Sequence, residues 1–90
     1  MTRKEKVTRV IDGDTIETSR RKQPVRLEGL DAPEKGQPGA ARAKAELERL
    51  ILDEEVRVDP RARDKYGRTV ARVYKGRESV NKLMRKKLKK

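Results

Sequence analysis

Ninety residues and 10.4 kDa leave room for one hydrophobic core and one domain, 1–90. Lys and Arg number 26 against 15 Asp and Glu, a formal net charge of +11, and the chain has no His and no Cys. Disulfides, thiolate nucleophiles, Ser-His-Asp triads and His- or Cys-ligated metals are thereby excluded, so any catalysis must use carboxylates, Lys, Arg, Tyr, hydroxyls or a cation held by oxygen.

Met1 is followed by Thr-Arg-Lys-Glu-Lys without an apolar h-region, so no signal peptide is expected, and no apolar run is long enough to span a membrane. Lys6 to Ile11 is short and β-branched and ends in the turn dipeptide Asp12-Gly13. Thr15 to Ser19 reads as a second strand, and Arg20-Arg21-Lys22 before Gln23-Pro24 as a basic hairpin loop. Val25 to Leu30 alternates, with Val25, Leu27 and Gly29 on one face and Arg26, Glu28 and Leu30 on the other. Asp31-Ala32-Pro33-Glu34 stops that strand, because Pro33 has no N–H for a ladder.

Ala40 to Leu52 carries the clearest helical stripe, Ala43, Leu47, Leu50 and Ile51. Glu55 to Asp59 is expected as a strand ended by Pro60, Arg61 to Gly67 as a polar loop, and Arg68 to Tyr74 as a strand with Ala71 and Val73 opposite Val70, Arg72 and Tyr74. Ser79 can N-cap a last helix from Val80 towards Leu88, within which Asn81 is expected to bond backbone. Residues Lys82 to Lys90 carry six positive charges and no negative one, leaving +5 on the first 81 residues. The charge excess is therefore a basic tail on a charge-mixed body. The order βββαββα with five short strands predicts an OB-like β-barrel with helices, an architecture that hosts binders and enzymes alike.

Asp12, Asp14, Asp31 and Glu34 stand at strand ends. If the first and third strands share a sheet, three or four carboxylates converge. In so basic a chain that arrangement asks for a compensating cation, and oxygen-only ligands favour Ca²⁺ before Mg²⁺ or Mn²⁺. The plainer reading makes them turn residues, since Asp-Gly and Asp-x-Pro favour turns. Arg26 and Arg68 flank the same segments. A guanidinium is a rigid fork that can grip two phosphate oxygens and take up charge as phosphorus is attacked, although either arginine could equally be a solvated surface residue.

Taken together, Val10-Ile11-Asp12-Gly13-Asp14-Thr15, Val25-Arg26-Leu27-Glu28-Gly29-Leu30-Asp31-Ala32-Pro33-Glu34 and Asp64-Lys65-Tyr66-Gly67-Arg68 with Val70-Ala71 resemble the staphylococcal nuclease (thermonuclease) family. Gly36-Gln37-Pro38-Gly39 and Val80-Asn81 fit the same order, so the resemblance covers roughly Val7 to Leu88. It implies a five-stranded OB-fold. It further implies that Asp14, Asp31 and the backbone carbonyl of Ala32 hold Ca²⁺, with Asp12 acting through water. Arg26 and Arg68 would grip the scissile phosphate, Glu34 would be the general base, and Lys65 and Tyr66 would contact the neighbouring terminal phosphate. The family often has Thr where this chain has Ala32, a difference that a backbone ligand tolerates. The resemblance is to a short form: longer members continue past the second helix through a further tyrosine and a third helix.

The implied reaction is hydrolysis of phosphodiester bonds in DNA and RNA, leaving 3′-phosphate ends. A monomer with a preference for single strands and with salt-dependent binding is expected, since the phosphate must reach a recessed site. The alternative is a non-catalytic OB-fold module that grips single-stranded nucleic acid. Its weakness is the aromatic count, because Tyr66 and Tyr74 are the only rings and such binders use stacking platforms.

Overall fold

The structure, a computed structural model, describes residues 3–88. Lys89 and Lys90 of the expected tail, and the start at Met1, lie outside the described residues.

Strand β1 (Lys4–Asp12) buries Val7 and Val10, three positions apart, on the same side. Strict alternation forbids this, but the pairing with β2 (Thr15–Thr18) slips between Val7 and Arg9, and the bulge at Thr8 resets the face. Strand β3 (Val25–Leu27) pairs with β2, and β4 (Glu55–Arg63) pairs with the other side of β1. Strand β5 (Thr69–Lys75) lies antiparallel to β4 and parallel to β3, through Val25↔Thr69, Arg26↔Val70 and Leu27↔Ala71. This last pairing closes five strands into a ring, as the OB expectation requires. A two-residue strand β6 (Glu78–Ser79), absent from the expected order, extends β5 at its end.

Two boundaries differ by three residues or more from those expected. Strand β4 does not end at Pro60 but runs on to Arg63. Pro60 is exposed, and the register with β5 shifts between Pro60 and Ala62, so the missing N–H falls at a bulge. Strand β3 ends at Leu27 and not at Leu30. Gly29, at φ +78°, turns the chain, and Leu30 enters the core beside Val25 and Leu27 instead of facing away from them. Of the three basic residues at the hairpin tip, Arg20 and Lys22 are exposed and Arg21 is half-buried, because the buried Glu5 takes the Nε and Nη2 of Arg21 at 2.9 Å and the Thr18 hydroxyl at 2.7 Å.

Helix α1 (Ala40–Ile51) starts after Pro38-Gly39 and packs on β1 through Ala43, Leu47 and Ile51. Helix α2 (Val80–Leu88) is capped by the Ser79 hydroxyl, which accepts the Lys82 N–H at 3.2 Å. It buries Val80 and Met84 against β5 and α1. No described helix is long and apolar enough to cross a membrane.

The turn between β1 and β2 is wedged against α1. A Cβ on Gly13 would lie 2.6 Å from the Cβ of Ala43 and 2.9 Å from that of Ala32, so glycine is required here for close approach. Gly13→Ala should lower stability by about 1–3 kcal/mol through overpacking. A denaturant midpoint equal to wild type would show that the helix simply moves aside.

Candidate active site

The turn at the end of β1 is built by its own carboxylates. The Asp14 N–H donates to Asp12 Oδ1 at 3.1 Å, and the Asp14 carbonyl accepts the Leu27 N–H at 2.7 Å, which fixes the turn on β3. Asp14 is buried, and both its oxygens are engaged: Oδ1 accepts the Thr15 hydroxyl at 2.8 Å, and Oδ2 accepts the Ala32 N–H at 3.1 Å and lies 3.6 Å from Arg26 Nη2. Two loops separated in sequence are thereby held together at Ala32. Arg26 completes the link by donating from Nη2 to the Leu30 carbonyl at 2.7 Å.

These neighbours split the two carboxyls. Burial pushes Asp12 up, the adjacent Asp14 adds to it, and the Asp12 pKa reaches about 6. Burial acts on Asp14 in the same direction, but hydrogen bonds from Asp12, Thr15 and the Ala32 N–H, with the Arg26 charge, outweigh it and hold Asp14 below its ordinary value. Asp14 therefore ionises first, and below about pH 6 it is the anion of the pair.

Arg68 stands just before β5, and the next residue, Thr69, donates its N–H to the Pro24 carbonyl at 3.0 Å. Arg26, within β3, and Arg68, one residue before β5, thus flank the β3–β5 junction. With Arg26 opposite Val70, side-chain alternation puts Arg68, Val70 and Arg26 on one outer face. Asp64 fixes Arg68: its Oδ2 accepts the guanidinium Nε at 2.7 Å, and its Oδ1 accepts the N–H groups of Tyr66 and Arg68 at 3.0 and 2.9 Å. Tyr66 is 70% exposed, with Lys65 Nζ and the Arg68 guanidinium each 5.3 Å from its ring centre. Asp64 was expected only as part of a motif, and its anchoring role was missed. The available signal was an Asp opening an Asp-x-x-Gly turn, where its side chain can bond the backbone two residues on.

Burial raises the Asp64 carboxyl, but the N–H groups of Arg68 and Tyr66 and the Arg68 guanidinium outweigh it and bring Asp64 below its ordinary value. A carboxyl depressed in the folded state adds stability above its unfolded pKa and loses it as pH falls through the lower folded pKa. Amide exchange at Tyr66 and Arg68 should therefore stay protected at pH values where a free aspartate is already protonated. Protection lost at the ordinary aspartate pKa would contradict this.

Asp31 is exposed and lines a cleft of about 640 Å³ with Pro33, Pro38, Gly39, Arg42 and Ala43. Glu34 is exposed as well, its N–H bonded to Gln37 Oε1 at 2.8 Å. The expected convergence of three or four carboxylates is not formed: among the described residues no group of three or more His, Cys, Asp or Glu side chains could share a metal ion. The physical reason is that Asp14 turns its oxygens onto Thr15, Ala32 and Arg26, while Asp31 and Glu34 face solvent. The donor set nevertheless fits a hard cation in kind. Two carboxylates and a backbone carbonyl, all oxygen, stand on loops tied at Ala32, and such ions retain water in their remaining positions.

The staphylococcal nuclease homologue family matches residues 24–87. The chain is 42% identical over 78 residues to Protein ParB of Escherichia coli, covering 84% of this chain and 44% of that protein. It is 44% identical over 70 residues to a micrococcal nuclease of Shigella flexneri (76% and 40% covered), and 37% identical over 91 aligned positions to a thermonuclease of Staphylococcus hyicus (90% and 54%). The chain spans less than half the length of the first two of these relatives. A family match over most of the chain, together with relatives 37–44% identical over three quarters of it or more, makes this chain a member of the staphylococcal nuclease homologue family.

Proposed function

We propose that this chain is a monomeric, single-domain, Ca²⁺-dependent nuclease that hydrolyses phosphodiester bonds of DNA and RNA and leaves 3′-phosphate ends. The observation that carries the reading is the β3–β5 junction, with Arg26 and Arg68 on one face and the anionic Asp14 against Arg26 and the Ala32 N–H. Relatives bearing nuclease names support the reaction class.

Asp14, Asp31 and the Ala32 carbonyl would hold the ion, and Asp12 would act on it through water. When bound, a hard cation supplies positive charge that polarises a phosphoryl oxygen and makes nearby water more acidic. Arg26 and Arg68 remain cationic at any working pH and grip the non-bridging oxygens, where negative charge grows as water attacks phosphorus. Arg26 keeps its orientation because one nitrogen is spent on the Leu30 carbonyl, and Arg68 because its Nε is spent on Asp64. Glu34, exposed on the loop after Asp31, takes the proton from the attacking water. The new P–O bond forms in line as the bond to the 5′-oxygen breaks. That oxygen takes up a proton and leaves as an alcohol, and phosphate stays on the 3′ side. Lys65, with Tyr66 beside it, receives the adjacent phosphate. Single strands should be cut faster than duplex, because a backbone free of its partner can bend into the cleft.

The test is cleavage of a labelled single-stranded oligonucleotide with Ca²⁺ and, in parallel, with a chelator. Metal-dependent cutting that Glu34→Ala abolishes is expected. Undiminished binding with no cutting would replace the nuclease by the non-catalytic binding module.

A further inference from the structure

The outer face that carries the two arginines does not end with them. Along β5, Thr69, Ala71 and Val73 are buried, while Val70, Arg72 and Tyr74 look outward in line with Arg68. At ~3.3 Å per residue, Arg72 lies about 13 Å from Arg68 on this face. There the surface opens into a groove of about 350 Å³ between β5, the residues after β3 and the start of α2. Its cations are Arg72, Lys82 and Arg85, and its one carboxylate, Glu28, is already spent on Arg72 Nε at 2.9 Å. Lys82 and Arg85 are exposed and belong to no ion pair among the described residues. Arg85 reaches across the turn after β3: a Cβ on Gly29 would come within 2.6 Å of its Nη2, so the bare glycine leaves space for the guanidinium. The Tyr74 ring in the groove is half-buried and covered by the Arg57 guanidinium at 4.6 Å, which leaves it poorly placed to stack a base.

We propose that this groove is a second phosphate subsite. It takes a flanking phosphodiester of the same single strand whose scissile phosphate lies at Arg26 and Arg68, an assignment that rests on the proposed function. Recognition there is through charge, without base readout, so the subsite lengthens the footprint on the strand without adding sequence preference.

The experiment is fluorescence anisotropy of labelled oligo(dT) in chelator, where nothing is cut, across a salt series. Wild type is compared with Lys82→Gln/Arg85→Gln and with a charge-matched control on the exposed face of α1, Lys44→Gln/Arg49→Gln. For an oligonucleotide of about twelve nucleotides, within the span of one OB domain, the groove variant should bind on the order of tenfold more weakly, with a salt slope shallower by about 0.7 for each phosphate no longer neutralised. The penalty should shrink as the oligonucleotide becomes too short to reach both ends of the face, and the control should bind nearly as wild type. Equal binding by the groove variant, an equal loss in the control, or no binding by wild type overturns the subsite. Because the readout is binding, a protein that fails to cut still tests it.

Discussion

Arg26→Lys is expected to slow cleavage of a single-stranded substrate by about 10²–10³-fold, the usual cost of removing one preorganised donor from developing charge. The variant keeps the positive charge and loses the fork. In the native site one arm of the guanidinium donates to the Leu30 carbonyl, and the same nitrogen stands 3.6 Å from Asp14, which leaves the remaining N–H groups for phosphate. An ammonium at the end of a flexible stem has no second arm, so it can serve the carbonyl or the phosphate but not hold both in register. Single-turnover rates at saturating substrate isolate the chemical step, and thermal melts of the two proteins should nearly coincide. A rate within tenfold of wild type would mean that Arg26 acts as a point charge only, and the bidentate role would be wrong.

Asn81→Ala should cost about 3–5 kcal/mol, a large part of the 5–15 kcal/mol that holds a small domain together. Its buried side chain satisfies three backbone groups at once. Oδ1 accepts the Val73 N–H at 2.9 Å, and Nδ2 donates to the carbonyls of Glu28 and Ala71 at 2.9 and 3.1 Å. Alanine removes this partner from all three: the Ala71 carbonyl keeps the Glu28 N–H at 2.8 Å, while the Val73 N–H and the Glu28 carbonyl lose theirs, and each buried orphan costs ~1–3 kcal/mol. The effect is structural but not remote from the site, because Glu28 and Ala71 flank the junction where β3 meets β5. Urea titration measures the loss. Asn81→Asp is the sharper comparison: it keeps an acceptor for Val73 but faces two carbonyls with oxygen, and it should be no more stable than the alanine variant. A loss below ~1 kcal/mol in Asn81→Ala would show that water takes over the three groups.

The sequence made local elements legible, and the limits of that reading are physical. The stripe of Ala43, Leu47, Leu50 and Ile51 and the alternation of Ala71 and Val73 are set by neighbours in the chain, and both faces are buried, Leu50 only in part. Asn81 also bonds backbone as its place in the helix suggested. Pro60 was misleading because a proline stops a strand only where its missing N–H is needed, which depends on the partner strand and its bulge. Leu30 was misleading because the period of two ends where Gly29 turns the chain. Motifs hint at the contact of Asp14 with Arg26 and Ala32, but local pattern does not dictate it, since it depends on the β2–β3 register that sets Thr15 opposite Arg26 and on the turn that returns Ala32 to Asp14. Whether the carboxylates cluster or only build turns stays open in the sequence, which shows their number and not their direction. Asp14 points inward, whereas Asp31 and Glu34 point to solvent.

The ring is spliced shut by only three rungs, Val25↔Thr69, Arg26↔Val70 and Leu27↔Ala71, and the two guanidiniums ride on opposite sides of that splice. Opening of so short a junction on warming is expected to part them while the helices are still wound and the inner aliphatics still in contact. Turnover should therefore fade on warming ahead of ellipticity, and the interval between the two curves gauges how firmly so short a clasp holds a pocket assembled from both halves of the chain.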